Sequence, residues 1–96
     1  MNASVAIQVL PQGVGDELVR IVDQVIDYID KTGLYYVVGP FETTIEGPYD
    51  QLMEIVKECQ LICIEAGAPS VMSYVKINYS PEVILSIDEK TKKYQA

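Results

Sequence analysis

The chain has 96 residues, 49% of them hydrophobic and 22% charged, which fits one globular domain with one modest core and not a disordered chain. Its formal net charge of −7 argues against a nucleic-acid backbone as partner, and its lack of histidine removes Ser-His and Cys-His catalytic pairs. Two cysteines are too few for a disulfide scaffold, no apolar run approaches the roughly 20 residues of a membrane span, and no basic segment leads an apolar one at the start, so a cytoplasmic soluble protein is expected.

Residues 4–10 alternate, with Val5, Ile7 and Val9 on one side and Ala6 and Gln8 on the other, and this predicts a first strand. Residues 11–15 read as a loop, and Asp16 as the cap of a helix. Leu18, Ile21, Val22, Val25, Ile26 and Ile29 recur at helical spacing, and Gly33 ends that helix. Residues 34–38 and 43–46 predict two strands of a hairpin, broken by Gly39-Pro40 and closed by Gly47-Pro48. Pro40 cannot donate to a ladder, which places the second strand at a sheet edge.

Asp50 is a candidate cap for a second helix, whose apolar face runs from Leu52 through Ile55, Cys59 and Cys63 to a stop at Gly67. Residues 71–79 predict a fourth strand with Val71, Ser73, Val75 and Ile77 on one face and Met72, Tyr74, Lys76 and Asn78 on the other. Residues 81–85 have no clear period. Ser86 and Glu89 fit a capping box, and a short helix to residue 94 would place Ile87, Thr91 and Tyr94 on one side.

The order β-α-β-β-α-β over residues 1–96 predicts an α+β ferredoxin-like sandwich, a four-stranded antiparallel sheet with two helices on one face and a short C-terminal helix. The first and third strands are then central. The other sheet face is expected to carry Ala6, Gln8, Thr44, Glu46, Tyr74, Lys76 and Asn78. A face so mixed is either solvated or covered by another subunit.

Fold alone does not name a function. RNA-recognition domains of this topology carry a basic, aromatic third strand, whereas here it reads Glu42-Thr43-Thr44-Ile45-Glu46. Metal chaperones of the fold carry Cys-x-x-Cys after the first strand, where this chain has Pro11-Gln12-Gly13-Val14-Gly15. Cys59 and Cys63 share a helix face, but a structural zinc site needs about four ligands, so they are expected to be reduced, metal-free core side chains. Glu42 and Glu46, an even four positions apart along the strand, share a face and could grip a cation, share a proton or stand in water. With no further catalytic signal, ligand contact or solvation outweighs acid–base work. Tyr35, Tyr36, Tyr74 and Tyr79 could stack on an aromatic or cationic ligand, or pack in the core or a subunit interface.

The run Tyr36-Val37-Val38-Gly39-Pro40-Phe41-Glu42-Thr43-Thr44-Ile45-Glu46-Gly47 resembles the signature of the YkoF-like thiamine-binding family. The spacing to Leu52-Met53 and Val56-Lys57, then to Val75-Lys76-Ile77-Asn78, resembles it too, as do both ends of the chain. The resemblance implies a small ferredoxin-like protein that assembles through its sheets as a dimer or tetramer and binds thiamine or its hydroxymethylpyrimidine part. This chain departs from the family pattern at Asn78, where some members have an acidic residue, and at Cys59-Gln60, where some have a His-Glu or similar pair.

The ligand chemistry suits these residues. A thiazolium is cationic, and an aminopyrimidine has adjacent donor and acceptor atoms that hydroxyls, a carboxylate and a carboxamide can satisfy. Thr43, Thr44 and Glu46 are the first candidates for ligand contact, with Gln8, Asn78, Tyr36 and Glu42 next. Thr43 and Thr44 point to opposite sheet faces, so a simple pocket cannot hold both. The sequence therefore predicts a cytoplasmic, non-enzymatic binding protein for thiamine or hydroxymethylpyrimidine, acting as a carrier, buffer or sensor and self-associating as a homodimer or homotetramer. No cofactor, metal, nucleic acid or membrane is expected. The alternative is an oligomeric ferredoxin-like regulatory domain for another small metabolite.

Overall fold

A computed structural model of the chain describes residues 3–82 and 86–92. In chain order the elements are β1 (Ala3–Gln12), a 3-10 turn (Gly15–Glu17), α1 (Leu18–Lys31), β2 (Tyr35–Val38), β3 (Thr43–Gly47), α2 (Tyr49–Glu65), β4 (Ser70–Tyr79) and α3 (Ile87–Thr91). The strands form one antiparallel sheet in the order β2-β3-β1-β4. This is the expected ferredoxin-like topology, with β1 and β3 central and the Pro40-flanked β2 at an edge.

Strand alternation assigns each residue a side of the sheet. On the inner face Ala3, Val5 and Ile7 of β1 stand opposite Gly47, Ile45 and Thr43 of β3, and opposite Tyr79, Ile77 and Val75 of β4. Ile21, Val25 and Ile29 bring the buried stripe of α1 onto that face, and Leu52, Ile55, Cys59 and Cys63 bring that of α2. These side chains are the core, and each fully buried isoleucine or leucine contributes about 1.5–3 kcal/mol by leaving water.

The C-terminal ends of both long helices follow the sequence expectation. Gly33 (φ 78°) follows α1 and Gly67 (φ 113°) follows α2, both in the left-handed region that favours glycine. After α2 the Gly67 N–H donates to the Ile64 carbonyl at 3.0 Å and the Ala68 N–H to that of Cys63 at 3.0 Å, a Schellman pair that satisfies two end carbonyls.

The N-terminal ends differ. Asp16 lies within the 3-10 turn and does not cap α1, whose N-cap residue Glu17 makes no side-chain cap bond. Asp50 lies in the first turn of α2, behind the N-cap residue Pro48, and favours that helix through its charge at the positive end of the dipole.

β1 is also longer than expected, because Pro11 and Gln12 continue it and pair with Val71 and Ser70. Pro11 is tolerated there because β3 pairs with β1 only as far as Ile7↔Thr43, leaving the second side of β1 open among the described residues.

α3 lies on the outer face, opposite α1 and α2. The Ser86 hydroxyl accepts from the Glu89 N–H at 3.1 Å, the N-terminal half of the expected capping box. The Ile87 N–H donates to Glu46 Oε2 at 2.8 Å, the Tyr35 hydroxyl to Asp88 Oδ1 at 3.0 Å and Lys90 Nζ to Ser4 Oγ at 3.4 Å. Residues 83–85 and the expected extension to Tyr94 lie outside the described residues.

Candidate functional site

The hairpin turn between β2 and β3 sets the first cavity. The Gly39 N–H donates to the Glu42 carbonyl at 2.8 Å and closes the turn around Pro40-Phe41. A Cβ on Gly39 would stand 3.0 Å from that carbonyl oxygen, so the tight closure favours glycine. Between this turn, the open side of β1 and α1 lies a cleft of about 180 Å³. Ile7 and Val9 of β1, together with Val22, Val25, Ile26 and Ile29 of α1, make it largely apolar; Thr43 borders it from the inner face, and Gln8 and Glu42, whose strand positions face outward, border it at its rim. Glu42 is ion-paired with Lys76 at 3.1 Å, an exposed contact of small energetic weight.

A second cavity, of about 200 Å³, lies on the outer face. Ser4, Ala6, Thr44 and Asn78 line it together with Lys76 and Lys90. Ala6 opposes Thr44 on one neighbouring strand and Lys76 on the other, and its methyl leaves the space. Lys90, with Lys76 already paired to Glu42, brings positive charge to this cavity and makes it less favourable for a thiazolium than for an anion.

The expected ligand residues therefore separate. Gln8, Glu42 and Thr43 meet at the cleft, and Thr44 and Asn78 meet at the outer cavity. Glu46 is buried against α3 and accepts the Ile87 N–H, so it lines neither cavity. Tyr36 faces the helices, where its hydroxyl donates to Asp30 Oδ1 at 2.8 Å, ties β2 to the end of α1 and holds the phenol above its ordinary pKa. Tyr35, on the outer face, is raised likewise by its hydrogen bond to Asp88. Tyr79 packs its ring 4.6 Å from that of Tyr49.

Cys59 and Cys63 are free and fully buried. Burial, then the neighbouring Cys63 and Glu58, pushes the Cys59 thiol up to about 12, and burial raises Cys63 as well. Such thiols are poor nucleophiles, because the thiolate is the reactive form. Among the described residues no group of three or more Cys, Asp or Glu is placed to hold a metal ion, and no helix is long and apolar enough to cross a membrane.

Sequence reasoning missed Val9, Phe41, Val22 and Ile26 as cleft residues. Only the helical stripe hinted at Val22 and Ile26, which flank the core positions of α1. The approach of Lys90 to the outer cavity joins residues far apart in the chain, and no local pattern signals it.

Comparison with known proteins agrees with this architecture. The chain is 49% identical over 94 residues to the UPF0045 protein of Clostridium perfringens, with 98% of each chain covered. It resembles a structure of a domain of unknown function, DUF77, from Bacillus cereus, with a TM-score of 0.91 and 37% identity over 99% of this chain and 91% of the other. A candidate thiamine biosynthesis/salvage protein from Thermotoga maritima superposes with a TM-score of 0.86 and 33% identity, over 99% of this chain and 100% of that one. The sequence pattern described as thiamine-binding protein matches residues 5–95, and the chain belongs to that family.

Proposed function

We propose that the protein is a non-enzymatic binder of thiamine or its hydroxymethylpyrimidine part, acting in the cytoplasm as a carrier, buffer or sensor and assembling as a homodimer or homotetramer. The observation that carries this reading is the cleft beside α1, whose apolar walls suit a flat ring and whose polar groups gather at Gln8, Glu42 and Thr43. Family membership and the thiamine biosynthesis/salvage description of the Thermotoga maritima relative support the ligand class.

A binding role is favoured over catalysis by the way the acids are occupied. Glu42 is ion-paired with Lys76 and Glu46 holds the start of α3, so the two carboxylates do not act as a pair. In this reading Thr43 and Gln8 meet the pyrimidine edge, and Glu42 supplies negative charge toward a thiazolium. Thr44 and Asn78 serve the outer cavity, Glu46 positions α3, and Tyr36 supports the strand that carries the turn.

Calorimetric titration with thiamine, hydroxymethylpyrimidine and a neutral pyrimidine lacking the amino group tests the proposal. Saturable binding of the first two is expected, and heat indistinguishable from dilution for both would overturn it. A regulatory domain for an anionic metabolite is the second reading. The outer cavity with Lys76 and Lys90 favours it, and preferential binding of a phosphorylated or carboxylated compound would establish it.

A further inference from the structure

The cleft opens where the sheet is incomplete. β1 pairs with β4 along its whole length, from Ala3↔Tyr79 to Gln12↔Ser70, but with β3 only from Ala3↔Gly47 to Ile7↔Thr43. Beyond Ile7, one side of β1 has no neighbouring strand among the described residues.

Two observations fix which backbone groups face that gap. In an antiparallel sheet successive residues send their N–H and C=O to opposite neighbours. The Glu42 carbonyl accepts from Gly39 on the β2 side, so Thr43 and Ile45 direct their backbone groups to β1. Their partners Ile7 and Val5 then face β3, and counting on by two, Val9 and Pro11 face the same side. Pro11 agrees independently, since a residue without an N–H fits where none is required. Val9 is thus left with both an N–H and a C=O aimed at the gap. Val9 itself lines the cleft, and no backbone hydrogen bond joins it to the 39–42 turn.

Resting on the reading of this cleft as the pyrimidine site, we infer that the backbone of Val9 is the specificity element that reads the ring. Its N–H donates to a ring nitrogen and its C=O accepts from the adjacent exocyclic amine, so the heterocycle takes the place of the missing strand. The motif selects planar heterocycles that carry an acceptor beside an amino donor, and rejects rings that lack the amine. A peptide strand is a poorer occupant, because Pro11 offers no donor and ends the ladder after one residue.

The test is amide hydrogen exchange on the full chain, followed by NMR with and without 4-amino-5-hydroxymethyl-2-methylpyrimidine. In the free protein the Val9 amide exchanges faster than those of Gln8 and Leu10, which face β4, and the pyrimidine slows Val9 alone. Val9→Pro removes the donor without removing a bond to β4. It is expected to weaken pyrimidine binding by roughly ten- to a hundredfold, while Val9→Ala, which keeps the donor, loses less. Bound pyrimidine that leaves Val9 exchange unchanged would overturn the inference and leave the binding reading standing. Undiminished affinity in a folded Val9→Pro protein would do the same. Failure of the wild-type protein to bind the pyrimidine would overturn both. If Val9→Pro does not fold, the exchange measurement on the wild-type chain decides.

Discussion

Thr43 and Thr44 are neighbours in sequence and stand on opposite sides of the sheet, Thr43 across from Ile7 at the cleft and Thr44 across from Ala6 at the lysine-lined cavity. Replacing each by valine keeps the branched shape and removes only a hydroxyl. Thr43→Val is expected to lower affinity for hydroxymethylpyrimidine by roughly ten- to a hundredfold, because a buried polar atom of the ligand loses its partner. Thr44→Val is expected to leave that affinity unchanged. Calorimetry on the two variants checks this, and the reverse pattern would move the ligand to the outer face.

Glu46 is expected to matter for stability more than for binding. Its carboxylate accepts the Ile87 N–H at the start of α3, and the residue is 7% exposed. Glu46→Ala strands that N–H and removes a hydrogen bond to a charged group, a loss of about 1.5–3 kcal/mol. Each kcal/mol lowers the melting temperature of a domain this size by roughly 4–8 °C. Thermal unfolding measures the loss, and pyrimidine affinity in the folded variant should stay near that of the wild type. A large loss of affinity with no loss of stability would return Glu46 to the ligand site.

The cysteines give a prediction for alkaline pH. The Cys59 thiol is raised from 9.0 to about 12 in the folded protein, chiefly by burial. Below pH 9 the thiol is neutral in both folded and unfolded chains, and its contribution to stability is fully present. Between pH 9 and about 12 only the unfolded chain ionises, so stability falls with rising pH by about 1.4 kcal/mol per unit. Cys59→Ala should flatten the stability profile in that window while costing about 0.5–1.5 kcal/mol at neutral pH for the deleted sulfur, by analogy with loss of one buried methylene. Pyrimidine binding should survive the double replacement of Cys59 and Cys63. Denaturant unfolding across the pH series checks the slope, and an unchanged slope in Cys59→Ala would contradict it.

Assembly is tested on the outer face. Val37, Met72 and Tyr74 lie exposed there beside the polar residues, on the side of the sheet that α1 and α2 do not cover. Exposed apolar side chains at both edges of a sheet face that no helix layer covers suit a subunit contact, and homo-oligomers use such faces symmetrically. Light scattering at micromolar concentration is expected to give a dimer or tetramer, and Tyr74→Glu a smaller species. A wild-type monomer would rule the assembly out.

Short-range patterns were sufficient for the element order, the inner and outer faces of β1, β3 and β4, the buried stripes of α1 and α2, and the glycine stops at Gly33 and Gly67. Each is a periodicity or a single-residue backbone preference, and needs no partner from elsewhere in the chain to be read. The opposed placement of Thr43 and Thr44 belongs with these, because strand alternation alone requires it.

The tertiary structure decided what depends on two distant segments at once. Where β3 stops alongside β1 determines that the cleft exists and that Val9 borders it. The docking of α3 on the outer face assigns Glu46 to Ile87 and brings Lys90 beside Ser4. Strand length, ladder register and helix docking are set by the balance of packing over the whole sheet. A carboxylate that reads as a ligand contact in the sequence can thus serve as a helix anchor in the fold.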